Sequence, residues 1–67
     1  MRLIRIKEVR HLTGLSTASV YRKVKANEFP QSISLGARTV GWVESEVLEW
    51  VESRIAGRGK ENTGVQS

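Results

Sequence analysis

Thr13-Gly14-Leu15-Ser16-Thr17-Ala18-Ser19-Val20-Tyr21-Arg22-Lys23-Val24 reads as the end of one short helix, a tight turn and the start of a second helix. Gly14 sits just past a helix end, where a positive φ carries no Cβ penalty. Leu15 is the apolar residue that pins the turn to a core. Ser16 is placed as N-cap, its hydroxyl positioned to accept an orphan N–H of the next helix.

The second helix is expected over Thr17–Asn27, with Asn27 as its left-handed terminator. At about 100° per residue, Thr17, Val20, Tyr21 and Val24 share one arc, and Ala18, Ser19, Arg22, Lys23, Lys25 and Ala26 share the other. The first arc suits a core. The second combines small residues with cations and contains no acid. Small residues permit close approach to a DNA groove, and Arg22, Lys23 and Lys25 suit phosphates or guanine edges. An ordinary solvated basic face is the plain alternative, so the rest of the chain has to decide.

Sixty-seven residues make one small domain, and at this size a single core leaves little net stability. There is no cysteine, which removes disulfides, thiolate metal sites and cysteine nucleophiles, and fits a cytoplasmic protein. Leu3, Ile4 and Ile6 are interrupted by Arg2 and Arg5, too short and charged a run for a signal core or a membrane span. The net charge of +4 is divided unevenly. Residues 1–40 carry eight cations against two glutamates, and residues 41–67 carry three against five. A basic half joined to an acidic half gives the molecule one side for a polyanion and one that avoids it.

Residues 2–6 form an extended lead-in, and a first helix over Lys7–Thr13 places Ile6, Val9 and Leu12 together. His11, the one histidine, has no partner at metal-ligand or triad spacing and reads as a surface residue. After Glu28, Pro30 ends helical continuation and biases Phe29 toward extended backbone, so Phe29 plugs the core below the helix-turn-helix. Residues 32–42 then alternate as a hairpin, with Ile33, Leu35, Val40 and Trp42 on its inner face and Gly36-Ala37-Arg38 at its tip. Arg38 has no acidic neighbour there, which suits a wing reaching a minor groove or a phosphate. A third helix is expected over Glu44–Ile55, its glutamates opening the first turn. Val47, Leu48, Trp50, Val51 and Ile55 form its core face, and Glu46, Glu49, Glu52 and Ser53 face away from DNA. From Gly57 the composition is that of a disordered tail, which gives a folded domain over 1–56 and a tail over 57–67.

Leu3-Ile4-Arg5-Ile6-Lys7-Glu8-Val9, Thr13-Gly14-Leu15-Ser16, Tyr21-Arg22, Glu28-Phe29-Pro30, Leu35-Gly36, Gly41-Trp42, Glu44-Ser45-Glu46-Val47 and Trp50 together resemble the AlpA family over residues 2–56. These are small phage and prophage regulators in the MerR-like winged helix-turn-helix group, with excisionases among their relatives. The resemblance implies a mainly α fold of three helices with a two-stranded wing, and a sequence-specific regulator of transcription acting on integrase or excision genes. It places Ser16 and Tyr21-Arg22 in the recognition-helix motif and Arg38 at the basic wing position. Where relatives often carry another polar or basic residue, this chain has Thr17 and Ala18, so base preference does not transfer. The long dimerisation helix and effector domain of most MerR proteins are missing from the sequence, and no cofactor is implied.

The expected partner is therefore double-stranded DNA, met by Ser16, Thr17, Ala18, Ser19, Tyr21, Arg22, Lys23, Lys25 and Arg38. Two alternatives stay open beside a regulator. One is an excisionase-like bending factor, whose few base pairs per module call for several copies on repeated sites. The other is an interaction module that docks RNA polymerase or an integrase on the acidic face of helix 3. Catalysis is not expected: aspartate and cysteine are missing, His11 stands alone, and no glycine loop cradles phosphate.

Overall fold

A computed structural model describes residues 1–61 of the chain, with side chains through Arg58. The elements run β1 (Leu3–Ile4), α1 (Ile6–Thr13), α2 (Thr17–Lys25), β2 (Ile33–Gly36), β3 (Thr39–Val43) and α3 (Glu44–Glu61).

The turn between α1 and α2 is built from local hydrogen bonds. Gly14 adopts φ 77°, and its N–H donates to the Arg10 carbonyl at 2.8 Å, closing α1 with a left-handed cap. The Thr13 hydroxyl donates back to the Val9 carbonyl at 2.8 Å and accepts the Leu15 N–H at 3.1 Å. The α2 C-terminus is equally specific. Ala26 caps it, Asn27 takes φ 60°, and the N–H groups of Asn27 and Glu28 donate to Val24 and Lys23. That reciprocal pair is a Schellman motif, so α2 stops at Lys25, two residues short of the expected Asn27.

The lead-in does more than extend. It becomes β1 and pairs antiparallel with the end of β3, Leu3 opposite Val43 and Ile4 opposite Trp42. The wing is therefore a three-stranded sheet, ordered β1-β3-β2, in place of the two strands expected. A third strand matters because an isolated two-stranded hairpin is marginal in water.

The core gathers Ile4, Val9, Val20, Phe29, Trp42 and Val47, with Leu12, Leu15, Val24, Val40 and Trp50 packed around them. Both tryptophans are satisfied as they pack. The Trp42 indole N–H donates to the Pro30 carbonyl at 3.0 Å, and that of Trp50 to Glu28 at 2.8 Å. Phe29 meets Trp50 edge-on at 4.8 Å, which makes the segment after α2 part of the core, as its phenylalanine implied.

Three expectations need correcting. Ile33 and Leu35 are exposed and do not join Trp42 on the inner face. The register explains why: Ile33 lies opposite Gly41, and Gly41 points to the face that Trp42 does not. Leu48 and Ile55 are likewise exposed, because they sit at the margin of α3 beyond the arc covered by Val47 and Trp50. Finally, α3 runs to Glu61, so residues 57–61 of the expected tail lie within a helix. Gly57 and Gly59 each disfavour helix by only about 1 kcal/mol relative to alanine, which a helix already nucleated can carry. The remainder of that tail lies outside the described residues.

Candidate nucleic-acid interface

Two helices joined by a tight turn, followed by a hairpin in a small sheet and a bracing helix, place the chain in the winged helix-turn-helix class. α2 is the second helix of the motif. Val20 is fully buried and Val24 half-buried, so the opposite side of α2 faces solvent, and Arg22 lies directly across from them. Ala18, Arg22 and Lys25 are exposed along that side, while Thr17, Ser19 and Lys23 are half-buried at its borders.

The start of α2 is organised before any ligand arrives. Ser16 Oγ accepts the Ser19 N–H at 3.2 Å and donates to Ser19 Oγ at 3.0 Å. Arg22 Nη2 in turn donates to Ser19 Oγ at 3.3 Å. Arg22 is thus held one turn above the helix N-terminus, where the free N–H groups and the helix dipole favour anions. The other cations of α2 and of the hairpin turn are uncommitted. Among the described residues the one ion pair joins Arg2 to Glu44, so Lys23, Lys25 and Arg38 have no acidic partner.

Tyr21 departs from the simple division into inner and outer arcs. Its ring packs tilted against Trp42, with centroids 6.0 Å apart, yet the residue is 44% exposed. It belongs to both faces, one side on the core and the phenol at the surface. Arg38 sits in the two-residue connection between Gly36 and Thr39 and takes φ 61°, a left-handed conformation unusual for a residue with a Cβ. The hairpin turn lies at the end of β3 away from Val43, where β1 pairs.

A second cationic cluster escaped the sequence reading. Arg2, Arg5, Lys7 and Arg10 surround an open cleft between β1 and α1, and it forms only because residues 2–5 fold onto β3. Their spacing of two or three residues was visible, but the partner strand forty positions away was not. Among the described residues no group of His, Asp or Glu is arranged to hold a metal, and no helix is long and apolar enough to cross a membrane.

Comparison with known proteins narrows the class to a family. Residues 2–55 match the family described as Prophage CP4-57 regulatory protein (AlpA), and the chain belongs to it. It is 47% identical over 57 residues to Uncharacterized protein ORF88 of Enterobacteria phage P4, covering 85% of this chain and 65% of that protein's length. It is 32% identical over 60 residues to the DNA-binding transcriptional activator AlpA of Escherichia coli (strain K12), covering 81% of this chain and 86% of that one.

Proposed function

We propose that this protein is a sequence-specific DNA-binding transcriptional regulator of phage or prophage origin. α2 enters the major groove with its Ala18, Arg22 and Lys25 side, and the hairpin carries Arg38 to the adjacent backbone or minor groove. Ser16, Thr17 and Ser19 hold a phosphate at the α2 N-terminus, and Tyr21 and Lys23 flank the contact. The observation that carries this reading is the α2 surface itself, free of acids, opposite buried Val20 and ordered by the Ser16–Ser19–Arg22 hydrogen bonds. Family membership and the name of the Escherichia coli relative support it.

Selection of bound duplexes from random DNA, followed by footprinting, supplies the site. On that site Arg22→Ala is expected to weaken binding by about five- to 150-fold, the roughly 1–3 kcal/mol of a base-contacting arginine. Arg54→Ala, which removes a cation lying over Trp50 on α3, leaves affinity within about twofold. Equal losses in the two variants, or no duplex held better than random competitor, would remove α2 as the reader.

A further inference from the structure

The cleft beside α1 has a volume of about 790 Å³. It is lined by Leu3, Ile4 and Leu15 together with the cations Arg2, Arg5, Lys7 and Arg10 and the single acid Glu8. Only Arg2 of those four has an acidic partner among the described residues, Glu44. Such a lining suits an occupant that combines aliphatic with acidic side chains. A DNA backbone offers negative charge but no aliphatic side chain to cover Leu3 and Leu15, so a protein surface fits better.

The complement is present on this same molecule. Leu48 and Ile55 are 41% and 51% exposed on α3. Seven residues apart, they lie on one line, two turns and roughly 10 Å from each other. Glu52 stands between them and Glu49 beside them, both exposed. This stripe has an aliphatic ridge with an acidic edge, and Leu48 and Ile55 on it are left exposed by the described residues. Its own cleft is out of reach, because the first residue of α3 is tied to the cleft's edge: the Glu44 N–H donates to the Arg2 carbonyl at 2.8 Å, and the two side chains form the ion pair. The head of α3 is thus fixed beside the cleft while Leu48 and Ile55 stay exposed.

We propose that a second copy of this chain fills the cleft with the Leu48–Glu52–Ile55 stripe of its α3. The pairing is reciprocal, as in an isologous dimer: each copy gives its stripe and receives its partner's. The carboxylates of Glu49 and Glu52 then meet Arg5, Lys7 and Arg10, and the two aliphatic side chains cover Leu3 and Leu15. The pairing stands apart from the DNA-binding reading and is measured without DNA.

Sedimentation velocity on the full chain tests it. The sedimentation coefficient is expected to rise with protein concentration at about 50 mM salt and to fall back toward the monomer value at about 500 mM, where charges beyond roughly 5 Å are screened. A chain that stays monomeric up to about 1 mM at low salt, a concentration that detects any interface worth roughly 4 kcal/mol, overturns the proposal. Arg10→Glu and Glu52→Lys should each weaken self-association by about tenfold or more, and an equimolar mixture of the two should restore it, since both contacts become complementary again. A mixture no tighter than either variant alone also overturns it. Leu48→Ser, at an exposed position that leaves the core intact, should weaken association with no rescue by mixing, and unchanged association in that variant counts against the stripe. Should the wild type stay monomeric while Arg10→Glu lowers affinity for the selected duplex, the cleft is a DNA-backbone surface and the proposal fails.

Discussion

The Tyr21 ring leans on the Trp42 indole at 6.0 Å and 55°, joining the exposed helix α2 to the central strand of the sheet. Trp42 is fully buried and hydrogen-bonded to Pro30, so it is a fixed reference against which α2 is set. Removing the ring in Tyr21→Ala is expected to cost about 1–2 kcal/mol, the aromatic contact plus part of its buried area. Tyr21→Phe keeps the contact and should stay within about 0.5 kcal/mol of wild type in urea unfolding. Loss of duplex affinity in the phenylalanine variant at unchanged stability would then report the phenol itself.

Ser16 separates capping from ligand binding. Its Oγ accepts the Ser19 N–H, so Ser16→Ala should destabilise by about 1 kcal/mol. Aspartate caps as well as serine and favours the helix dipole, so Ser16→Asp should preserve the melting temperature. Its added negative charge stands where a phosphate is proposed to bind, and affinity for DNA should fall well below that of Ser16→Ala. Equal affinities in the two variants would place the phosphate elsewhere.

Arg38 offers a second separation, between backbone and charge. At φ 61° its Cβ is strained, a cost of roughly 1–2 kcal/mol that glycine avoids and asparagine bears more easily. Arg38→Gly and Arg38→Asn should therefore be at least as stable as wild type in thermal unfolding. Both should flatten the plot of log affinity against log salt by about one unit, if the guanidinium neutralises one phosphate. An unchanged slope would take the wing out of the interface.

Gly41 is a packing glycine in a strand. A Cβ there would stand 2.9 Å from Leu35 Cδ1 and 3.1 Å from the Ile4 carbonyl oxygen. The exposed leucine can swing aside, but the carbonyl belongs to β1 and cannot move without disturbing its pairing with Trp42. Gly41→Ala should cost about 1–3 kcal/mol by overpacking. Adding Leu35→Ala should recover only part of that, and full recovery in chemical denaturation would show that the β1 contact is unimportant.

Elements whose signals are local could be read directly from the residues. Gly14 and Ser16 mark the turn because a left-handed cap and a side-chain cap are decided within four residues. Asn27 and the glutamates at the head of α3 are of the same kind, and the outward placing of Arg22 and Lys25 follows from the helical period. What depended on distant partners was out of reach. Alternation shows that Ile33 and Leu35 share a face, but only pairing with Gly41 says which face, and it is the outer one. Leu3 and Ile4 looked like an extended lead-in because their partners, Val43 and Trp42, lie some forty residues on. The cleft beside α1 inherits that same invisibility. The helical period puts Leu48 and Ile55 with the core face, but it does not set how wide an arc of α3 its neighbours cover, and both are exposed.

The two-residue pairing of Leu3 and Ile4 with β3 makes the wing's posture a property of the chain's opening residues. Tension applied ahead of Leu3 would shear off that short edge first, and because Ile4 leaves the core with it, the packing around Trp42 would open in the same step. A fusion that crowds the amino terminus would loosen the wing in the same way, whereas cargo attached beyond α3 would leave it seated.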